Sequence, residues 1–144
     1  MKKVNLLISA LFLVCLMVVP VSAGDFDGSK PLLFCLMRVI ECTPDGVCSE
    51  VMPEEVGIPQ FYRIDFERKK LYPVTVAEDK RESDIERMER VDGKLMLQGS
   101  EDRVEEKRDG VGWTIAISEE TGKAVLTASG EEVAFIAFGA CISQ

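Results

Sequence analysis

Between Leu32 and Ile142 apolar residues recur at alternate positions, and turn residues interrupt them at intervals of about 8–12 residues. No other feature constrains the fold as strongly. Tyr62, Ile64 and Phe66 alternate with Arg63 and Asp65, and Trp113, Ile115 and Ile117 alternate with Thr114, Ala116 and Ser118. Side chains that alternate in this way lie on opposite faces of a strand. The breaks carry turn chemistry: Thr43-Pro44-Asp45-Gly46, Glu67-Arg68-Lys69-Lys70, Asp92-Gly93, Glu119-Glu120-Thr121-Gly122 and Gly130-Glu131. Strands are expected over 33–42, 48–52, 61–66, 71–76, 95–99, 113–118, 123–129 and 133–142. Pro53 to Gly57 reads as one helical turn, with proline first, acids in the first turn and glycine last. Pro73, which lacks a backbone donor, marks an edge or a bulge. Lys80 to Val91 is ambiguous. Ser83 and Glu86 fit a capping box, and Ile85, Met88 and Val91 recur every third residue. Such a short helix is marginal alone, however, and Asp92-Gly93 leads directly into Leu95-Met96-Leu97 as a two-residue hairpin does, so strand is favoured. The fold class is therefore all-β. The expected form is a small antiparallel meander closing as a lipocalin-like β-barrel, with a β-sandwich as the alternative.

The first 23 residues have a different character. Met1-Lys2-Lys3 is followed by a run from Leu6 to Val19 that is apolar apart from Ser9, then by Pro20 and by Val21-Ser22-Ala23, which supplies the −3 and −1 sites. This is the layout of an export signal cleaved after Ala23. As a helix the run spans only about 21 Å, short of a hydrocarbon core of ~30 Å. The division expected is signal peptide 1–23, flexible leader 24–31 and a single β domain 32–144, located in the periplasm or secreted. Removing residues 1–23 takes away two lysines and no acid, leaving 121 residues with 15 bases, 25 acids and a net charge of −10. That balance disfavours nucleic acid and anionic lipid as partners.

Cys15 leaves with the signal, so Cys35, Cys42, Cys48 and Cys141 remain. An even count in an exported chain reads as a disulfide framework, whereas a four-thiolate metal site needs closely spaced cysteine pairs that are missing here. Cys42 and Cys48 flank the Pro44-Asp45-Gly46 turn and form one expected pair. Cys35 and Cys141 form the other, which would hold the first and last strands side by side and close the barrel.

Several motifs are shared with a family. They are the C-x6-C-x5-C spacing from Cys35, Ile58-Pro59-Gln60-Phe61 with Asp65 and Lys69, Arg81-x-Ser83-x-Ile85, Asp92-Gly93-x-Leu95-x-Leu97-Gln98-Gly99, Trp113, Thr121-Gly122-Lys123 and Phe138-Gly139-Ala140-Cys141. In these the chain resembles an uncharacterised family of small exported proteobacterial proteins, from about Leu33 to Cys141. The resemblance implies export and β architecture and points to no active site. A looser likeness, of shape alone, is to small periplasmic barrels that inhibit lysozymes or proteases.

The chain has no histidine, which removes Ser-His-Asp and Cys-His catalysis and His-ligated metals. Asp65 with Glu67, and Glu119 with Glu120, are the nearest thing to acid–base pairs, and so acidic a chain brings such neighbours together by composition alone. Asp25-Phe26-Asp27-Gly28 lacks most ligand positions of a calcium loop. Gly110-Val111-Gly112 lacks the following helix of a phosphate cradle. Arg63, Arg87 and Arg103 read as surface charges. No catalytic, cofactor-binding or metal-binding residue is expected, and the chain is read as a non-enzyme. Trp113 and Tyr62 are the candidate binding anchors, with a core role for Trp113 as the competing reading. The leading function is a periplasmic binding module, in one version an inhibitor of a basic hydrolase. The alternative is a lipocalin-like carrier of a small apolar ligand, which needs a hollow interior. A carboxylate-only enzyme ranks third.

Overall fold

A computed structural model describes residues 25–74, 82–101 and 110–144. The expected signal segment 1–23 with its cleavage point, the end of the expected 71–76 strand, Lys80, Arg81 and Arg103 lie outside these residues. Among the described residues there are nine strands and no helix: β1 Leu32–Cys42, β2 Cys48–Val51, β3 Phe61–Asp65, β4 Lys70–Pro73, β5 Ser83–Val91, β6 Lys94–Glu101, β7 Val111–Ser118, β8 Lys123–Ser129 and β9 Ala134–Ser143. Pro53–Gly57 is a run of turns, and the ambiguous 83–91 stretch is strand. The Asp92-Gly93 hairpin is formed as expected. Both residues have positive φ (47° and 71°), and Val91 faces Lys94 across the turn.

Each strand pairs antiparallel with its neighbour in the order β1-β3-β4-β5-β6-β7-β8-β9, and β9 returns to β1. The eight strands thus form a closed ring, and the sandwich alternative is set aside. Strand β1 makes the closure. One of its edges runs the length of β9, while the other is divided between β3 (Leu32 to Cys35) and β2 (Val39 to Cys42), which stands outside the ring. A bulge between Leu36 and Arg38 leaves Met37 unpaired. The extra residue restores the alternation, so Val39 points inward like Leu32, Phe34 and Leu36.

The interior is packed with side chains. Leu32, Phe34, Leu36, Ile64, Leu95, Leu97, Ile115 and Ile117 are all fully buried. One end of the barrel is covered by residues 25–31, read from sequence as a flexible leader. Phe26 packs on the core, and Arg90 donates to the Asp27 carbonyl and faces its carboxylate.

Cys42 and Cys48 are direct cross-strand partners with Cα atoms 4.1 Å apart, and they are disulfide-bonded. The expected Cys35–Cys141 bridge is not formed, and both cysteines are free thiols. The register gives the reason. Cys35 faces Ala140, while Cys141 faces Phe34. The two cysteines are therefore one position out of step on adjacent strands, with Cys141 in the core and Cys35 on the outer surface. The two terminal strands do lie side by side, held by backbone hydrogen bonds and packing instead.

Candidate functional site at the open barrel end

The barrel end opposite residues 25–31 contains a cavity of about 120 Å³. Its walls come from elements distant in sequence: Ile58 and Pro59 before β3, Tyr62 in β3, Leu71 in β4, Ser83 in β5, Glu101 in β6, Trp113 in β7, Leu126 in β8 and Phe135 in β9. Tyr62 and Trp113, the two anchors expected from sequence, meet here. The other lining residues carry no individual sequence signal, because only ring closure brings them together.

Trp113 is at once core and wall. It is 6% exposed, and its indole N–H is buried with no acceptor among the described residues. Gly99 makes its seat. Trp113 pairs with Gly99 across β6 and β7, and a Cβ at Gly99 would overlap both the indole and the Asp84 carbonyl. An unpaired buried donor costs on the order of 1–3 kcal/mol, so an arriving acceptor would gain more there than at a hydrated surface. The space is small. A cavity of roughly 150 Å³ holds one benzene-sized molecule, and the remaining interior is filled.

Acids surround the opening. Glu54 and Glu55 precede the lining residue Val56, Glu82 precedes Ser83, Glu101 lines the cavity itself, and Glu131 and Glu132 form the turn between β8 and β9. Glu82 is bridged by Lys70 at 2.8 Å, so the exposed carboxylates of Glu54, Glu55, Glu131 and Glu132 supply most of the negative potential beside the cavity.

The other acids considered from sequence are occupied elsewhere. The Asp65 carboxylate accepts the Arg68 backbone N–H at 3.0 Å, closing the β3–β4 turn. Glu119 bridges Arg90 at 3.1 Å, at the covered end. Asp27 accepts the Ser29 N–H at 2.9 Å, and hydrogen bonding from the Ser29 side chain and backbone, with Arg90 nearby, holds its carboxyl below the usual carboxylate range. The Asp25–Gly28 segment is thus a turn facing an arginine. Arg63 is exposed, and Arg87 pairs with Glu89 on the surface at 2.7 Å. No group of three or more Cys, Asp or Glu suited to a metal ion occurs among the described residues. No family model, no curated protein and no solved structure matches this chain.

Proposed function

We propose that this protein is a non-enzymatic periplasmic binding module that engages a basic protein through the open end of the barrel. The observation that carries the reading is the pairing of an aromatic-walled cavity, with Trp113 and Tyr62 in its lining, and the exposed carboxylates of Glu54, Glu55, Glu131 and Glu132 in the segments that flank it. A cationic side chain suits both parts: the flanking acids draw in its charge, which enters first and meets the aromatic faces, while the apolar stem packs at the mouth. A volume of about 120 Å³ accepts one such side chain and little more, which is the scale of a central anchor in a protein interface. A cationic hydrolase of the cell envelope, such as a lysozyme, is the partner class this favours, and inhibition would follow where the docked residue borders the enzyme's cleft.

The test uses the chain's single tryptophan. Titrating the exported protein with a basic lysozyme and a basic protease should give a saturable change in Trp113 emission at low salt and at physiological salt. The Debye length is about 8 Å at physiological salt, and nonspecific charge attraction fades there. Replacing Glu131 and Glu132 with lysine should slow association about tenfold at low salt with little effect on folding, since both are exposed turn residues. Loss of all binding at physiological salt would sink the proposal.

A further inference from the structure

Charge is distributed very unevenly around the barrel wall. Strand β5 carries Asp84, Glu86, Arg87, Glu89 and Arg90, whereas β7, β8 and β9 contain no acid and only one charged residue, Lys123. On the outer surface of β8, β9 and β1 the register places Val125 beside Phe138, Ala140 beside Cys35, and Ile142 beside Leu33. Ile142 is 60% exposed, Phe138 43%, and Met37 at the bulge 76%. The half-buried thiol of Cys35 sits in the middle of this group. Oxidation has used the Cys42–Cys48 pair, and Cys141 lies inside, so Cys35 is the one cysteine on this wall without a partner in its own chain.

Three physical arguments identify what covers the wall. The chain carries a net charge of −8, so two copies meeting elsewhere oppose carboxylates, whereas β8 and β9 carry none and the exposed Arg38 of β1, beside Phe138, is bridged to Glu50 of β2 at 3.2 Å. On this wall β8, β9 and β1 are each paired on both sides, so a second copy meets it face to face and not by strand pairing. Three strands spaced about 4.8 Å apart, each about eight residues long, present roughly 400 Å² per copy, the size of a weak, reversible contact.

We propose that the β8–β9–β1 wall is a self-association face on which a second copy of this chain stacks about a two-fold axis passing near Cys35, and that oxidation then joins the two Cys35 thiols. In that step two thiols and one external disulfide, belonging to a thiol–disulfide oxidant, exchange. One intermolecular S–S bond forms, the external S–S bond breaks, and the two protons and two electrons pass to the oxidant as a pair of thiols. Two-fold symmetry is what allows one cysteine to meet its own copy.

The full exported chain, oxidised with excess glutathione disulfide, should yield a covalent dimer that survives non-reducing electrophoresis. Peptide mapping should show Cys35 joined to Cys35. Phe138→Glu should slow dimer formation at least tenfold, while Met88→Glu, at an exposed apolar position on β5, should leave it unchanged. Trp113 emission verifies that both variants are folded. A noncovalent form of the same dimer should appear for Cys35→Ser in sedimentation at high concentration and be weakened by Phe138→Glu. Formation of glutathionylated monomer alone, or equal dimerisation rates for the two glutamate variants, would overturn the proposal.

Discussion

At Gly139 a Cβ would overlap the Cys35 carbonyl oxygen on the neighbouring strand, and at Gly99 one would overlap the Asp84 carbonyl and the Trp113 indole. In both cases the obstacle includes backbone, which cannot rotate away. Gly139→Ala and Gly99→Ala should each therefore lower stability by about 2–3 kcal/mol in urea denaturation, and only Gly99→Ala should also shift Trp113 emission. The two free cysteines differ as sharply. Burial pushes the Cys141 thiol from its ordinary 9.0 up to about 12, whereas Cys35 is half-buried on the surface. In the chain without residues 1–23, and so without Cys15, an aromatic disulfide reagent at neutral pH should titrate one thiol in the folded protein and two after unfolding. The pH dependence has a definite sign. The folded-state value is raised, so the stabilisation from keeping Cys141 neutral is intact below pH 9 and is lost progressively as pH rises toward 12. Cys141→Ala should flatten the alkaline fall in melting temperature over that range. A bridge between Cys35 and Cys141 looked sound in the sequence because β1 and β9 are apolar on both faces. With Leu33 and Cys35 no more polar than Phe34 and Leu36, alternation alone does not reveal which set points inward.

Strands β3 and β7 were plainly legible, since polar residues mark their outer faces. Asp92-Gly93 likewise settled β5, whose Met88 and Val91 would otherwise fit a helix; both are exposed and contribute nothing to the core. The bulges at Met37 and Glu86 were hidden, because an unpaired residue has no side-chain signature of its own. The elements also differ in what depends on them. Strand β2 hangs outside the ring, so replacing Cys42 and Cys48 with alanine should cost at most about 2.4 kcal/mol, the chain-entropy value for so short a loop. It should leave the amides of β6 to β9 protected in hydrogen exchange. The thinnest seam in the ring is β4–β5, with only two register pairs, Lys70 to Asp84 and Leu71 to Ser83. Lys70 reinforces it by bridging Glu82 at 2.8 Å and Asp84 at 2.9 Å, and these two carboxylates raise its pKa. Lys70→Ala should speed exchange at the Ile85 amide, which donates to the Lys69 carbonyl, and leave β7–β8 unaffected.

For the molecule as a whole, closure determines both the site and its visibility. Trp113 and Tyr62 could be named from sequence, but the cavity between them could not, since its walls come from seven of the ring's eight strands and from the segment before β3. Closure also imposes an order in time. The strand synthesised first, β1, takes its longest partner from the strand synthesised last, and the ends of the barrel sequence meet where the Gln144 N–H donates to the Pro31 carbonyl at 3.2 Å. Joining segments about a hundred residues apart costs about 3 kcal/mol more in chain entropy than closing a four-residue turn. The hairpins from β5 to β9 should therefore form early in refolding and β1 should dock late, in one slow step that pulse-labelled exchange would resolve. Until that step β1 is an unpaired strand with apolar side chains on both faces. The hazard for this protein accordingly falls in the interval before its last strand is available, and a chain ending at Ser129 should collect in aggregates instead of as a shorter barrel.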